Sequence, residues 1–403
     1  MKAHEPVEKK IPAADPHDFS LVLGGPLFQF LQRSRLSGCA LELMWRRLLV
    51  ITLIAWLPLL ILSLLDGKLM SGSVTVPFLY DVDAHVRFLI ALPLLVIAEL
   101  VVHLRMRPVI SLFLTRNLIG TRARTKFEAA LASTLRLRNS VAAELLLLAL
   151  VYGVGVLFIW RSHAALHMDS WYGRTVDGKW VPSLAGWWLG FVSLPFFQFL
   201  LLRWYFRIFL WARLLWRVSR LDLQLVPTHP DRCGGLGFLS GVCFAFAPLI
   251  LAQGALLSGT IANQIFFTGA KLFQFKIEIA AVSAVVLLAV AGPLLVFAPV
   301  LSRLKRAGLR DYGTIAQEYV AGFDRKWLRG DAPDGETLLG SGDIQSLADL
   351  NNSFEVVRTM KTIPFTKEGL VHLAVLALLP VLPLSLTLIS LEDLMQQLLK
   401  VLF

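Results

Sequence analysis

Long apolar runs separated by polar loops dominate the pattern along this chain. Each run is about as long as a helix needs to cross a hydrocarbon layer of ~30 Å. Because a backbone in lipid must satisfy its own polar groups, each run is predicted to form a helix. The runs mostly lack the polar stripe that marks a helix on a soluble core. There are seven of them: Leu48–Leu65, Ala84–Leu104, Val141–Trp160, Leu184–Leu202, Leu236–Ser258, Ile279–Leu301 and Leu370–Leu391.

The distribution of Lys and Arg predicts which way the helices cross. Of the 39 basic residues, 31 fall in the N-terminal segment and in the second, fourth and sixth loops between the runs. Loops rich in Lys and Arg tend to stay in the cytoplasm. The sequence therefore predicts an all-α polytopic membrane protein with seven transmembrane helices, a cytoplasmic N-terminus and an outer C-terminus.

Composition agrees with this class, since 56% of the residues are hydrophobic and 17% are charged. In a soluble protein, the net charge of +11 would indicate nucleic acid as a partner. Here the charge lies beside the spans, so the predicted partners are membrane lipids with anionic headgroups at the cytoplasmic face, and no nucleic acid is expected. The sequence identifies neither a cofactor nor an oligomeric state.

Four segments are predicted along the chain. Residues 1–47 form a cytoplasmic N-terminal segment with a helix on the membrane surface, and residues 48–301 form a six-span membrane domain. Residues 302–369 form a cytoplasmic helical loop, in which Asp343 is expected to cap a second helix. Residues 370–403 hold the seventh span and an outer C-terminal tail.

The fourth run is predicted to continue as a helix beyond the membrane, as far as Arg220. At about 100° per residue, five arginines share one broad face of this helix: Arg203, Arg207, Arg213, Arg217 and Arg220. Two interpretations remain open. The arginines either line a site for an anionic ligand or a pore mouth, or they extend to the headgroups from an interfacial helix.

A polar and glycine-rich motif, Pro227–Gly237, precedes the fifth run. Helix N-termini attract anions, and adjacent glycines let a backbone approach a phosphate. The alternative is local structure, in which an aspartate caps the helix and the glycines allow tight turns. We also expect the motif to pack against residues 343–358, which lie on the same predicted side. The candidate anion- or phosphate-binding residues, of which the first two are also candidates for proton chemistry, are His229, Asp231, Arg232, Gly234 and Gly235.

Ionisable side chains in or near the inner leaflet are candidates for a proton or ion site. They are Glu99 in the second run, His103 one turn later, and Glu144 at the start of the third run. Glu99 is expected to face the bundle interior and to titrate during transport. The alternative for both acids is a static ion pair with a nearby arginine, namely Arg105, Arg136 or Arg138.

Acids and histidines on the predicted outer side form a candidate metal site. Asp81, Asp83 and His85 alternate before the second run, while His163 and His167 follow the third run at i, i+4 spacing. Two histidines one turn apart on a helix form a workable metal-binding face. The alternative is that these are ordinary polar residues of outer loops.

The residues from Thr228 to Asp231, followed by Gly-Gly-Leu-Gly at 234–237, resemble a motif of an uncharacterised family of bacterial multi-span membrane proteins. The stretch 343–358 adds to the likeness, which covers most of the chain from Phe19 onward. The resemblance implies a location in the bacterial inner membrane and nothing about chemistry. The layout is also similar to that of the seven-span chemoreceptor channels of insects, with no shared motif.

A channel or carrier for an ion or small solute is the function that the sequence favours. One alternative is a membrane-embedded enzyme or lipid-handling protein with a cytoplasmic-face site around His229 and Asp231. Another is a membrane scaffold or sensor that acts through the loop 302–369. A polar path through Glu99 would favour transport, and a pocket at His229 would favour the enzyme.

Overall fold

The computed structural model describes residues 19–33, 44–70, 74–156, 169–176, 179–333 and 335–388, and their regular secondary structure is almost entirely helical. Within them we number a β-hairpin, β1 (Gly173–Val176) and β2 (Lys179–Pro182), whose strands are antiparallel. The helices are α1 (Pro26–Arg33), α2 (Met44–Leu65), α3 (Val82–Thr115), α4 (Thr121–Arg138), α5 (Val141–Val154), α6 (Leu184–Val218), α7 (Gly237–Thr268), α8 (Leu272–Leu328), α9 (Gly342–Arg358) and α10 (Lys367–Thr387).

The prediction of an all-α multi-span protein is confirmed. Of the described helices, six are long and apolar enough to cross a membrane, namely α2, α3, α6, α7, α8 and α10. The third predicted span, Val141–Trp160, corresponds to α5, which follows α4 across a bend of 48°. This pair makes a seventh span if it is taken as one broken helix. The direction of the termini stays a prediction.

Irregular turns precede the prolines inside the long helices. In α3 a π-helical stretch, Val86–Ala91, ends two residues before Pro93, and in α6 a similar stretch, Leu189–Ser193, ends two residues before Pro195. Proline has no N–H to donate and its ring clashes with the carbonyl one turn back, so the preceding turn departs from α-geometry. In α7 and α8, 3₁₀ turns take the same place ahead of a proline.

Two helices continue well beyond the length of a span. The 35 residues of α6 extend about 50 Å at roughly 1.5 Å per residue, as predicted for the fourth run. The 57 residues of α8 form one continuous helix. The sixth span and the first part of the predicted loop 302–369 therefore belong to the same element, and α9 folds back along its end.

The start of α9 corrects one prediction. Its N-cap is Ser341, and Asp343 lies within the first turn. The Oδ2 atom of Asp343 accepts hydrogen bonds from Lys326 Nζ and Trp327 Nε1, each at 2.9 Å. Asp343 therefore ties α9 to α8, a tertiary contact that takes the place of the capping role expected from the local pattern.

The core lies between α3, α6 and α7, where small residues allow close helix packing. A Cβ atom at Gly254 of α7 would overlap the carbonyl of Ala377 in α10. A Cβ at Gly259 would lie 3.1 Å from the Val86 side chain of α3. On the other side of α3, the buried Trp204 of α6 donates its Nε1–H to a backbone carbonyl of α3 at 2.9 Å.

The two ends of the bundle are named after the orientation that the basic residues predict. The outer end holds the starts of α3 and α6, the end of α7 and the β-hairpin. There the backbone N–H of Trp171 donates to the carbonyl of Val76 at 2.9 Å, which joins the loop before α3 to the loop before the hairpin. The inner end holds the opposite ends of these helices and the segment before α1.

Candidate functional site

A carboxylate and three guanidinium groups meet inside the bundle toward its inner end. Glu99 of α3 is 3% exposed, and its Oε1 accepts a hydrogen bond from Arg207 of α6 at 2.8 Å. Arg203, one turn earlier on α6, lies 3.6 Å from the same oxygen. Arg47 of α2 forms an ion pair with the other carboxylate oxygen, Oε2. We call these four residues the Glu99 cluster.

Glu99 faces the bundle interior, as predicted, but its partners differ from those expected. The sequence suggested Arg105, Arg136 or Arg138, which are near Glu99 or Glu144 along the chain. The arginines that contact Glu99 instead come from α2 and α6. The available signal was the i, i+4 arginine pair on the predicted continuation of the fourth run, which places two positive charges on one face of α6.

Arg203 and Arg207 are buried rather than extended to the membrane surface, with 6% and 3% exposed. The guanidinium of Arg207 lies 4.6 Å from the ring centroid of Trp204, a cation–π contact. The Nε atom of Arg203 lies 3.3 Å from the Oε1 of Glu144 at the start of α5. Glu144 thus has the ion pair that was its alternative interpretation, with a different arginine.

The segment of residues 19–27 closes the inner end beside the Glu99 cluster. The Oγ atom of Ser20 lies 3.0 Å from Nδ1 of His103, and Arg203 donates to the carbonyl of Gly24 at 3.2 Å. The backbone N–H of Leu27 donates to Glu144 at 2.8 Å. The sequence predicted a surface helix in residues 1–47 but none of these contacts, although the apolar side chains of the segment gave a signal. Three of them are at most 2% exposed: Phe19, Leu21 and Val22.

The charges of this region do not cancel. The three arginines of the Glu99 cluster outnumber by one the two acids that they pair with, Glu99 and Glu144. Arg138, which donates to the carbonyl of Ser20, adds a further positive charge nearby. A lone charge at membrane depth costs at least about 2.5 kcal/mol, so mutual pairing explains how these groups are tolerated. Glu99 is the shared counter-ion of three arginines, and its titration during transport stays a prediction.

A cavity of about 390 Å³ opens at the outer end, between the starts of α3 and α6, the end of α7 and the residues before β1. In its wall Asp83 and Arg87 form an ion pair at 2.6 Å. The hydroxyl of Thr260 on α7 donates to the other oxygen of Asp83 at 3.0 Å. Apolar side chains complete the wall: Phe88, Leu189, Leu194 and Phe267.

Asp81 lies at the base of this cavity and is 5% exposed. Its Oδ1 accepts from Asn263 Nδ2 at 2.7 Å and from the backbone N–H of Ala84 at 3.0 Å. Its Oδ2 accepts from Trp171 Nε1 at 2.7 Å. All three partners are neutral donors. Among the described residues no cation lies within 4 Å of Asp81.

In the part of the chain that the structure describes, the candidate metal ligands form hydrogen bonds and an ion pair with other side chains. Asp81 and Asp83 have the partners given above, and Nδ1 of His85 accepts from Trp56 Nε1 at 3.1 Å. Within the described ranges no three His, Cys, Asp or Glu side chains group as a metal site would require. His163 and His167 lie outside the described residues.

The motif before α7 is organised around Asp231. Its carboxylate accepts from the backbone N–H groups of Cys233 at 2.7 Å, Gly235 at 3.1 Å and Gly237 at 2.7 Å, and lies 2.9 Å from Nδ1 of His229. Partial burial alone would raise the pKa of Asp231, but these backbone donors and His229 outweigh it and hold the pKa below its usual value. The hydrogen bonds support the local-structure alternative.

Backbone geometry explains the glycines of the motif. Gly234 and Gly235 have φ values of +64° and +99°, a backbone region that residues with a Cβ rarely adopt. Arg232 also has a positive φ, of +55°, and its carbonyl accepts a hydrogen bond from the N–H of Lys361 at 2.7 Å. Anion binding by these residues stays a prediction.

The expected packing of the motif beside residues 343–358 agrees with the contacts at its edge. A Cβ at Gly308 of α8 would lie 2.8 Å from Pro227 and 2.9 Å from Val357, so the motif and the end of α9 meet at one glycine of α8. A Cβ at Gly234 would likewise contact Leu304 of α8. The motif therefore joins α7, α8 and the end of α9 at the inner end.

Comparison with known proteins adds no relative to this picture. No family model, no curated protein and no solved structure matches the chain. The assignment of function therefore rests on the geometry of the two charged regions.

Proposed function

We propose that this protein is a carrier for a small solute or ion in the bacterial inner membrane. The observation that supports it is the arrangement along α3 and α6. The outer cavity opens at one end of these helices, and the Glu99 cluster joins them toward the other. A solute that enters from the outer end would thus meet a site first and a charged closure afterwards.

The stretch between the two charged regions is closed by packing. Asp83 and Glu99 are sixteen residues apart on α3, or about 24 Å along a helix. Side chains of α3 in between are fully buried, among them Ala91, Leu92 and Leu95. A permanently open channel would need a continuous polar path, so this packing favours a carrier that opens its two ends in turn.

The Glu99 cluster has the properties of an inner closure. Its ion pairs join α2, α3 and α6, and Arg203 also holds α5 and the segment 19–27. Ion pairs between separate helices have two discrete arrangements, made and broken, which suits a two-state opening. The irregular turns of α3 and α6 begin at the cavity, and Pro93 and Pro195 follow them on the way to the cluster, where bending would separate the inner ends.

The enzyme alternative has less support. The carboxylate of Asp231 accepts three backbone N–H groups, so its role in turn formation uses the oxygens that proton chemistry would need. For the scaffold or sensor alternative, the long α8–α9 pair exposes apolar side chains such as Leu328, at 74%. Neither alternative gives a role to the outer cavity and the Glu99 cluster together, whereas transport gives a role to both.

Reconstitution into liposomes tests the carrier directly. Uptake of radiolabelled methylammonium, alanine, chloride and inorganic phosphate is measured for the parent protein and for Glu99→Gln. We expect at least one probe to move faster than in protein-free liposomes. Glu99→Gln should lower that flux at least about tenfold, since three arginines that repel one another no longer re-form the inner closure.

Two control variants make the result specific. Glu128→Gln removes the same charge from an exposed ion pair with Arg124 on α4 and should leave the flux unchanged. Glu99→Asp keeps the negative charge and should restore part of the flux. Flux of every probe at the protein-free rate would overturn the carrier, and equal flux in Glu99→Gln and the parent would overturn the role of the cluster.

A further inference from the structure

The charge of the outer cavity is unbalanced, and the imbalance has one source. Of the described residues that line it, three are charged: Asp81, Asp83 and Arg87. Asp83 and Arg87 neutralise each other at 2.6 Å. Asp81 is left with neutral donors alone. The cavity therefore carries one net negative charge at its base.

The hydrogen bonds of Asp81 engage both of its carboxylate oxygens. Both of its oxygens act as acceptors, one toward Trp171 Nε1 and the other toward Asn263 Nδ2 and a backbone N–H. The side chain of Asn263 is oriented by its second contact, in which its Oδ1 accepts from the N–H of Asp83 at 3.4 Å.

The size and walls of the cavity restrict the kind of cation. A volume of about 390 Å³ falls in the range typical of sites for small organic molecules, roughly 300–1,000 Å³. A bare metal ion would need several free oxygen ligands, whereas those of Asp81 and Asp83 are already engaged. Aromatic rings of Tyr172 and Phe267 lie in the wall, and such rings attract organic ammonium groups.

We propose that the outer cavity binds a small organic cation, an ammonium compound with a compact apolar body, whose charge complements the Asp81–Asp83–Arg87 set. One consequence of this inference rests on the proposed carrier function, namely that the cation is the transported solute or a ligand that binds from the outer side. Binding itself is a property of the cavity and is measured without transport.

Calorimetric titration of the purified full chain in detergent tests the proposal. The probes are tetramethylammonium, the neutral tert-butanol and the anionic pivalate, which have similar compact bodies and different charges. Tetramethylammonium should bind saturably and at least about tenfold more tightly than either of the others, as one uncompensated charge predicts. Sodium chloride at the same ionic strength serves as the blank.

Two substitutions should move the affinity in opposite directions. Asp83→Asn brings the net charge of the cavity from −1 to zero and should weaken tetramethylammonium binding about tenfold. Arg87→Gln brings it to −2 and should strengthen binding by several-fold. A merely structural disturbance would weaken binding in both variants. Glu278→Gln, which removes an exposed acid at the start of α8 outside the cavity, should change nothing.

Each of the following outcomes upholds or overturns the cation site, the carrier or both. Equal affinity for tert-butanol, absence of binding, or weaker binding in both cavity variants would overturn the cation site. Binding of tetramethylammonium without flux of any probe would uphold the site and overturn the carrier. Flux that tetramethylammonium neither shares nor inhibits, with no binding, would uphold the carrier and overturn the site.

Discussion

Removal of the negative charge at Glu99 gives the sharpest test of the inner cluster. The side chain of Glu99 and those of its three arginine partners are all at most 7% exposed. At an effective dielectric constant of about 20, each opposite pair about 4 Å apart attracts by about 4 kcal/mol. Desolvation offsets much of this gain, and breaking a buried pair by removing one partner costs about 3–5 kcal/mol. Glu99→Gln should therefore lower the free energy of unfolding by that amount.

A double-mutant cycle separates the charge effect from lost packing. The Glu99 cluster and Glu144 together carry a net charge of +1 in the parent, +2 in Glu99→Gln and 0 in Arg207→Gln. The double variant returns it to +1. Each single variant should lose free energy of unfolding. We expect the sum of the two losses to exceed the loss in the double variant by at least about 1 kcal/mol, which is a typical coupling for residues in direct contact.

Denaturant titration of the purified protein in detergent micelles, followed by helical circular dichroism, measures these differences. Glu128→Gln, at the exposed pair with Arg124, should change stability by less than about 1 kcal/mol. If Glu99→Gln costs no more than this control, or if the two single effects simply add, the cluster is not the charged closure described here.

Two further predictions concern the inner-end motif and the orientation of the chain. Because the folded pKa of Asp231 lies below its usual value, its contribution to stability should be present above the unfolded pKa of about 3.9 and be lost as the pH falls through the folded pKa. Asp231→Asn should accordingly destabilise the protein by about 1–3 kcal/mol near pH 7 and by less near pH 3, in the same denaturant assay; an equal gap at both pH values would contradict it. A reporter active only in the cytoplasm should function at residue 1 and within residues 332–342 and fail at Phe403; activity at Phe403 would reverse the predicted C-terminal side.

The positions of the spans were predictable from the sequence because hydropathy is a local property. A run of apolar side chains about as long as the hydrocarbon layer has few alternatives to a helix, whatever surrounds it. The extension of the fourth run was predicted as far as Arg220, because few helix-breaking residues follow it, and the helix ends at Val218. The long α8 was not predicted, because the pattern changes from apolar to amphipathic at residue 302 and such a change is typical of the end of a span. In the structure the helix continues through this position.

The sequence also determined that Glu99 points inward, since lipid exposure of a charge there is costly. Its partners depended on helices far apart in the chain. Arg207 is 108 residues from Glu99, and hydropathy carries no information on which helices become neighbours. For the same reason the predicted partners were arginines close in sequence.

The outer acids show the same division between local and tertiary information. The alternation of Asp81, Asp83 and His85 was interpreted as a metal site or as ordinary polar residues of an outer loop. In the structure Asp81 caps the first helical turn of α3 through the N–H of Ala84. Its other partners, Trp171 and Asn263, lie 90 and 182 residues away. The pair of Asp83 with Arg87 is local, one turn along α3. The neutral partners of Asp81 come instead from the packing of α7 and the pre-hairpin loop against α3, which only the tertiary structure decides because it depends on distances in space.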